Sequence, residues 1–180
     1  MFGSVTEFHQ LDELDRKKIA CTLAPEEPGR RSNGTDWGLF GSMSGAGVFK
    51  RLIKNNSQGL SEALDCIPAT GEVERGDYDA FVAAFRLAFR GERSGIATGT
   101  RLLAMKRPDT FVCLDSRNRK GLCDDLGVAP TTLDLDGYWD GVVAPLQDAL
   151  WWNQARPSSA IERRIWEGRA AFLDALYYEE

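Results

Sequence analysis

Residues 77–90 constrain the fold more than any other stretch of the chain. Tyr78, Phe81, Val82, Phe85 and Phe89 recur with a helical period and form one apolar stripe, while Arg86 and Arg90 stand off it. Such a helix has to bury its stripe against other apolar elements, and the rest of the chain offers helices to do so. Residues 10–23 place Leu11, Leu14, Ile19 and Leu23 at helical spacing before Pro25 and Pro28, and residues 25–36 read as a loop. Short helices follow at 48–55, at 60–66 (stopped by Pro68) and at 100–105. Another runs to about Leu126, with Gly127 as its C-terminal stop and Pro130 beyond. Residues 134–152 carry Trp139, Val142, Val143, Leu146 and Leu150 on one side, and Pro145 inside that pattern predicts a kink or a new first turn. Ser158 or Ser159 starts the last helix, with Glu162 as the capping-box partner of Ser159 and Ile161, Ile165, Trp166, Phe172, Leu173 and Leu176 as its buried face. No run alternates with period two. Residues 111–114 are the only extended piece, too short and isolated for a sheet. The pattern predicts an all-α fold, a compact bundle of about eight helices with short loops. It fits one domain over residues 1–180, with room for two lobes and a cleft between them.

The residue inventory narrows the chemistry. The start of the chain lacks a cationic segment followed by an apolar run, and no apolar stretch approaches the ~20 residues of a membrane span. The expectation is a soluble, cytoplasmic protein. Cys21, Cys66, Cys113 and Cys123 are irregularly spaced and His9 is the only histidine, so neither a metal site nor an iron–sulfur cluster is expected. The cysteines read as reduced, buried thiols. A lone histidine gives no support to a Ser-His-Asp or Cys-His arrangement, no phosphate-binding P-loop motif occurs, and no cofactor is called for. Carboxylates, lysines and oriented water remain as catalytic means. Residues 37–50 hold four glycines among aromatic side chains, which suits a phosphate cradle or a tight turn packing helix on helix.

Charge singles out one region. Between residues 86 and 120, nine cations (Arg86, Arg90, Arg93, Arg101, Lys106, Arg107, Arg117, Arg119 and Lys120) face three acids (Glu92, Asp109 and Asp115). That local balance of +6 in a chain of net charge −5 leaves −11 for the remainder. A basic band on an acidic protein suits a polyanion, although a solvated surface has the same composition.

Within the band, Arg-Leu-Leu-Ala-Met-Lys-Arg-Pro-Asp-Thr-Phe-Val-Cys-Leu-Asp-Ser-Arg (residues 101–117) resembles a passage of helix-hairpin-helix DNA glycosylases, especially 8-oxoguanine-glycosylase-like bacterial proteins. The resemblance covers about 25 of the 180 residues. It implies double-stranded DNA as partner and hydrolysis of the N-glycosidic bond of a damaged or modified base, extruded from the duplex. In the family an aspartate at the entrance of the helix after the hairpin stabilises the developing positive charge on the sugar and orients water, and here it maps to Asp115. The resemblance further implies that Arg101, Lys106, Arg107, Arg117, Arg119 and Lys120 hold phosphates. Gly95, Thr98 and Gly99 would supply the hairpin backbone. The family's hairpin lysine, the nucleophile of bifunctional members, is missing around Gly99, and Ala97 stands where the motif has a second glycine. The implied enzyme is therefore monofunctional, with Lys106 as a lesser candidate nucleophile. Asp115 also suits a helix N-cap, a role that can coexist with catalysis. Asp109, after Pro108, reads as a turn residue. Two other readings stay open: a DNA-binding or protein-interaction module on the same scaffold without catalysis, and an interaction protein of a defence or stress system without DNA affinity.

Overall fold

Helix α4 (Arg75–Ala88) carries the aromatic stripe, and the stripe is buried: Tyr78, Phe81, Val82, Phe85 and the following Phe89 all lie in the core. Phe81 stacks on Phe85 at 5.3 Å, and Phe85 meets Phe89 at 4.8 Å. Each such ring contributes roughly 1.5–3 kcal/mol by burial. The helix begins two residues before Asp77, because the Asp77 carboxylate accepts the Glu74 N–H at 2.9 Å and closes the first turn. The computed structural model describes residues 8–20, 22–24, 26, 30–31, 34–35 and 46–178.

The chain divides into two compact units, Met1–Ser94 and Gly95–Glu180. In the first, α1 (Glu13–Ile19) is shorter than the periodicity of residues 10–23 suggests. Asp12 caps it by accepting the Asp15 N–H at 2.7 Å, while Leu11 and Leu23 are buried just outside it. Helices α2 (Gly47–Lys54) and α3 (Gln58–Asp65) precede α4. Gly59 of α3 lets the helix backbones close, since a β-carbon there would sit 3.0 Å from the Ala88 Cβ. The expected loop 25–36 contains a two-residue antiparallel pair, β1 (Arg30–Arg31) with β2 (Gly34–Thr35), Arg30 opposite Thr35. Apart from this pair, the described residues are all-helical in their regular structure. Most of the glycine-rich stretch 37–50 lies outside the described residues.

The second unit holds α5 (Ile96–Lys106), an extended segment at 111–115, and α6 (Arg119–Leu126). The continuous helical run 135–147 follows, then α9 (Ala160–Glu167) and α10 (Phe172–Tyr177). Gly127 ends α6 in the left-handed conformation at φ 68°, as its position predicts. The run 135–147 consists of α7 (Leu135–Tyr138), a π-helical turn (Trp139–Val143) and α8 (Ala144–Gln147). Pro145 cannot donate a backbone bond and crowds the carbonyl four residues back. The helix widens, and the Ala144 N–H reaches the Trp139 carbonyl five residues away. Trp139, Val142, Val143 and Leu146 are buried, but the helix stops before Leu150, which is 86% exposed. With 135–147 as one, the described residues form nine helices, and none is long and apolar enough to cross a membrane.

The last helical region departs most from the sequence pattern. It is two helices with a turn at 168–171, and Ser159 sits at the first N-cap without a side-chain cap bond. Ile161 (74%), Ile165, Phe172 and Leu176 (76%) are exposed, whereas Ala170, Ala171 and Asp174 are buried. Small residues decide this face: the Ala170 and Ala171 N–H groups both donate to the Pro108 carbonyl, at 3.1 and 2.9 Å. The turn that docks on Pro108 is thus the buried part of this region, while the large apolar residues Phe172 and Leu176 of α10 are exposed.

Candidate functional site

The extended segment after Pro108 has no strand beside it, yet Phe111, Val112, Cys113 and Leu114 are buried. Backbone bonds the Phe111 N–H to the Arg107 carbonyl, and side chains satisfy several of the groups that follow. The Tyr138 hydroxyl donates to the Val112 carbonyl at 2.7 Å and accepts the Val112 N–H at 3.0 Å. Thr100 Oγ1 accepts the Leu114 N–H at 3.0 Å while donating to the Ile96 carbonyl at 2.8 Å. Asn118, fully buried, donates from Nδ2 to the Cys113 carbonyl at 2.6 Å. Three side chains from three elements thus deliver Asp115 to the start of α6.

Asp115 is partly buried, and two bonds set its orientation. Its N–H donates to Asn118 Oδ1 at 2.9 Å, and its Oδ1 accepts the Arg117 N–H at 2.7 Å. The Arg119 N–H then bonds the Asp115 carbonyl at 3.2 Å, so the turn 116–118 leads into α6. One half of a capping box is present, Asn118 Oδ1 accepting the Asp115 N–H, while the Asp115 carboxylate closes a turn onto Arg117 ahead of α6, whose N-cap is Asn118. Behind Asn118 lies Asp174 of α10, 1% exposed, whose Oδ1 accepts from Asn118 Nδ2. Burial pushes the Asp174 carboxyl from 3.8 up to about 7; the Asn118 bond opposes the rise, Asp115 adds to it and Arg101 opposes it. Burial likewise pushes the Cys113 thiol up, with the charges of Asp174 and Asp115 adding and that of Arg101 opposing. Cys113 is therefore an inert core thiol. Cys123 is buried too, Cys66 is partly exposed, and all three are thiols rather than disulfide partners. Among the described residues no group of His, Cys, Asp and Glu is arranged to hold a metal.

The cations predicted around Asp115 divide into two sets. Arg117 and Lys120 are exposed, the latter paired with Asp124 at 2.9 Å on the α6 surface. Lys106, the last residue of α5, is partly buried. Arg119 is partly buried and donates to the Leu133 carbonyl. Arg101 and Arg107 depart from the expected phosphate-facing surface. Arg101 is 1% exposed, and its charge acts on Cys113 and Asp174. Arg107 is 6% exposed and held bidentately by Asp109, Nε to Oδ1 and Nη2 to Oδ2 both at 2.8 Å. The Arg-Pro-Asp motif thus makes a local buried ion pair. Arg86, Arg90 and Arg93 are exposed in the first unit.

Gly95, Thr98 and Gly99 do not form a separate hairpin. Gly95 is the N-cap of α5, and the helix starts four residues earlier than the pattern of 100–105 suggests. The Gly99 N–H bonds the Gly95 carbonyl at 3.2 Å, Thr98 Oγ1 donates to the same carbonyl at 2.8 Å, and both residues are buried. Gly99 is a weak breaker in the first turn and no proline lies between Ile96 and Lys106, so the helix runs through.

Sequence reasoning missed Asn118, Asp174, Thr100 and Tyr138. Asn118, three residues after Asp115, is legible as a capping-box partner. Asp174 could have been noticed as a lone acid between Leu173 and Leu176 on an apolar helix, but its partners lie more than fifty residues away. Tyr177 is partly exposed and donates to Asp125 Oδ2 at 2.6 Å, while its ring lies 3.2 Å from where a β-carbon on residue 121 would sit. Trp152 and Trp166 flank the Arg169 guanidinium at 4.4 and 4.2 Å. No protein-family model matches the chain, and neither a curated protein nor a solved structure shows significant similarity to it.

Proposed function

We propose that the chain is a DNA glycosylase-like protein that recognises a damaged or modified base in double-stranded DNA and hydrolyses its N-glycosidic bond. One observation carries the reading: Asp115 is held at a helix entrance by backbone and side-chain bonds on both sides, partly exposed, with exposed Arg117 and Lys120 following it. In this mechanism the bond between the base and C1′ of the sugar breaks first, and its electron pair leaves with the base. The Asp115 carboxylate opposes the positive charge that develops on the sugar and takes a proton from the attacking water, whose oxygen bonds C1′. The departing base takes up one proton from solvent, and Asp115 returns the water-derived proton to solvent, so that the net change is the addition of one water across the bond. No covalent intermediate is needed, in keeping with the missing hairpin lysine, and Lys106 is the alternative nucleophile. In place of the hairpin of the resemblance, the first turn of α5 is the element whose N–H groups would meet a phosphate. Arg117 and Lys120 are the phosphate-binding cations the reading keeps at the surface.

The test is base release from duplexes carrying modified bases, followed by alkaline cleavage at abasic sites. The wild type is expected to release base, and Asp115→Asn to lose at least about a hundredfold in rate, the scale of removing one preorganised electrostatic stabiliser. Wild type without activity, or Asp115→Asn at the wild-type rate, overturns the proposal.

A second reading draws on a different observation. Burial of Arg101 and Arg107 thins the basic band, and Leu150, Ile161, Ile165, Phe172 and Leu176 leave apolar surface outside the core. Both features favour a non-catalytic DNA-binding or protein-interaction module. It predicts duplex binding or a protein partner with no base release.

A further inference from the structure

Asn118 has one acceptor and two donor hydrogens on its amide, and the structure uses both ends. Oδ1 takes the Asp115 N–H at 2.9 Å; Nδ2 serves the Cys113 carbonyl at 2.6 Å and Asp174 Oδ1. The opposite amide orientation would set Nδ2 against the Asp115 N–H and Oδ1 against two acceptors. The Asp174 carboxyl therefore adds to the Cys113 carbonyl in fixing the orientation in which Asn118 can hold Asp115. Asp174 is an expensive residue for that place: it is fully buried, and its Oδ2 has no hydrogen-bond partner among the described residues. An apolar side chain there would pack without that penalty, but it would leave the second Nδ2 hydrogen without an acceptor and the Cys113 carbonyl alone to hold that end of the Asn118 amide.

We propose that Asp174 is a positioning residue for Asp115, acting through the Asn118 amide. The inference rests on the reading of Asp115 as the catalytic carboxylate and deepens it. The groups that face Asp174 are Asp115 from the turn before α6, Arg101 from α5 and Cys113 from the extended segment. Cys113 stays a neutral thiol, since burial pushes it up. With its carboxyl raised to about 7, Asp174 changes charge near neutrality. As a carboxylate it accepts a charge-assisted bond from Asn118, and as an acid it accepts a weaker one. The hold on Asp115 accordingly tightens as pH rises through that value.

The full-length chain tests this in two arms. In the first, amide spectra of the ¹⁵N-labelled protein are followed across neutral pH. The Asp115 N–H and the Asn118 side-chain resonances should shift together with a midpoint near 7 in the wild type. They should show no such midpoint in Asp174→Asn. In the second arm, single-turnover base release is compared for wild type, Asp174→Asn and Asp174→Leu, with thermal unfolding to verify that each variant is folded. Asp174→Leu should slow the chemical step roughly tenfold to a hundredfold, the effect of slight misplacement of a reacting group, with duplex affinity unchanged. Asp174→Asn should retain more activity and lose the rise through neutral pH. Absence of linked shifts overturns the positioning role whatever the activity. Linked shifts in a wild type that releases no base uphold the positioning and overturn the chemistry assigned to Asp115.

Discussion

At the scale of single residues, Asn118 and Asp174 carry the largest consequences. Asn118→Ala removes the partners of the Asp115 N–H and the Cys113 carbonyl and leaves Asp174 without its donor. Each buried group left unsatisfied costs about 1–3 kcal/mol, so urea denaturation should show a destabilisation of at least that size. The Asp174 carboxyl is raised from 3.8 to about 7 in the folded chain, so between those values the native state binds more protons than the unfolded one. Its contribution is greatest below the lower value, falls as pH rises, and is flat above the upper. Unfolding free energies measured across that window should decline with pH more steeply in the wild type than in Asp174→Asn. Asp115 was legible in the sequence as a residue ahead of a helix, but the N-cap of that helix is Asn118 and Asp115 closes the turn before it. Its partner Asp174 was not, because an acid beside leucines on a terminal helix looks exposed until the fold brings Asn118 against it.

At the scale of elements, the extended segment 111–115 shows how side chains can replace a sheet. Tyr138 satisfies both polar groups of Val112 with one hydroxyl, so Tyr138→Phe removes two hydrogen bonds and orphans a buried N–H and a buried C=O. Thermal or urea unfolding should register a destabilisation of roughly 2–4 kcal/mol, since the ring itself still packs. Helices α2, α3 and α4 matched their sequence patterns within about two residues, because caps, prolines and apolar period agree there. The C-terminal helices did not match. Periodicity locates an apolar stripe but does not say which side is covered, and at 168–171 the covered residues are two alanines whose N–H groups bond the Pro108 carbonyl.

At the scale of the whole molecule, charge and burial oppose each other. The basic band on paper has nine cations, but Arg101 and Arg107 are interior and Arg107 is neutralised by Asp109. DNA affinity residing in this unit should depend on Arg117 and Lys120. Replacing either with alanine should reduce the slope of log affinity against log salt by about 0.9 for each phosphate no longer neutralised, measured by fluorescence anisotropy on a duplex. A slope unchanged in both variants excludes them from the interface. The chain's period, breakers and composition determined by themselves that it is helical, where most helices start, and that Asp115 stands at a helix entrance, because those properties depend on neighbours within a few residues. The tertiary structure alone decided which arginines are buried and which apolar face of the C-terminal helices is covered. It also decided that a carboxyl 59 positions along the chain from Asp115 joins it through Asn118. Those outcomes follow from packing and desolvation between distant segments, to which local sequence spacing is blind.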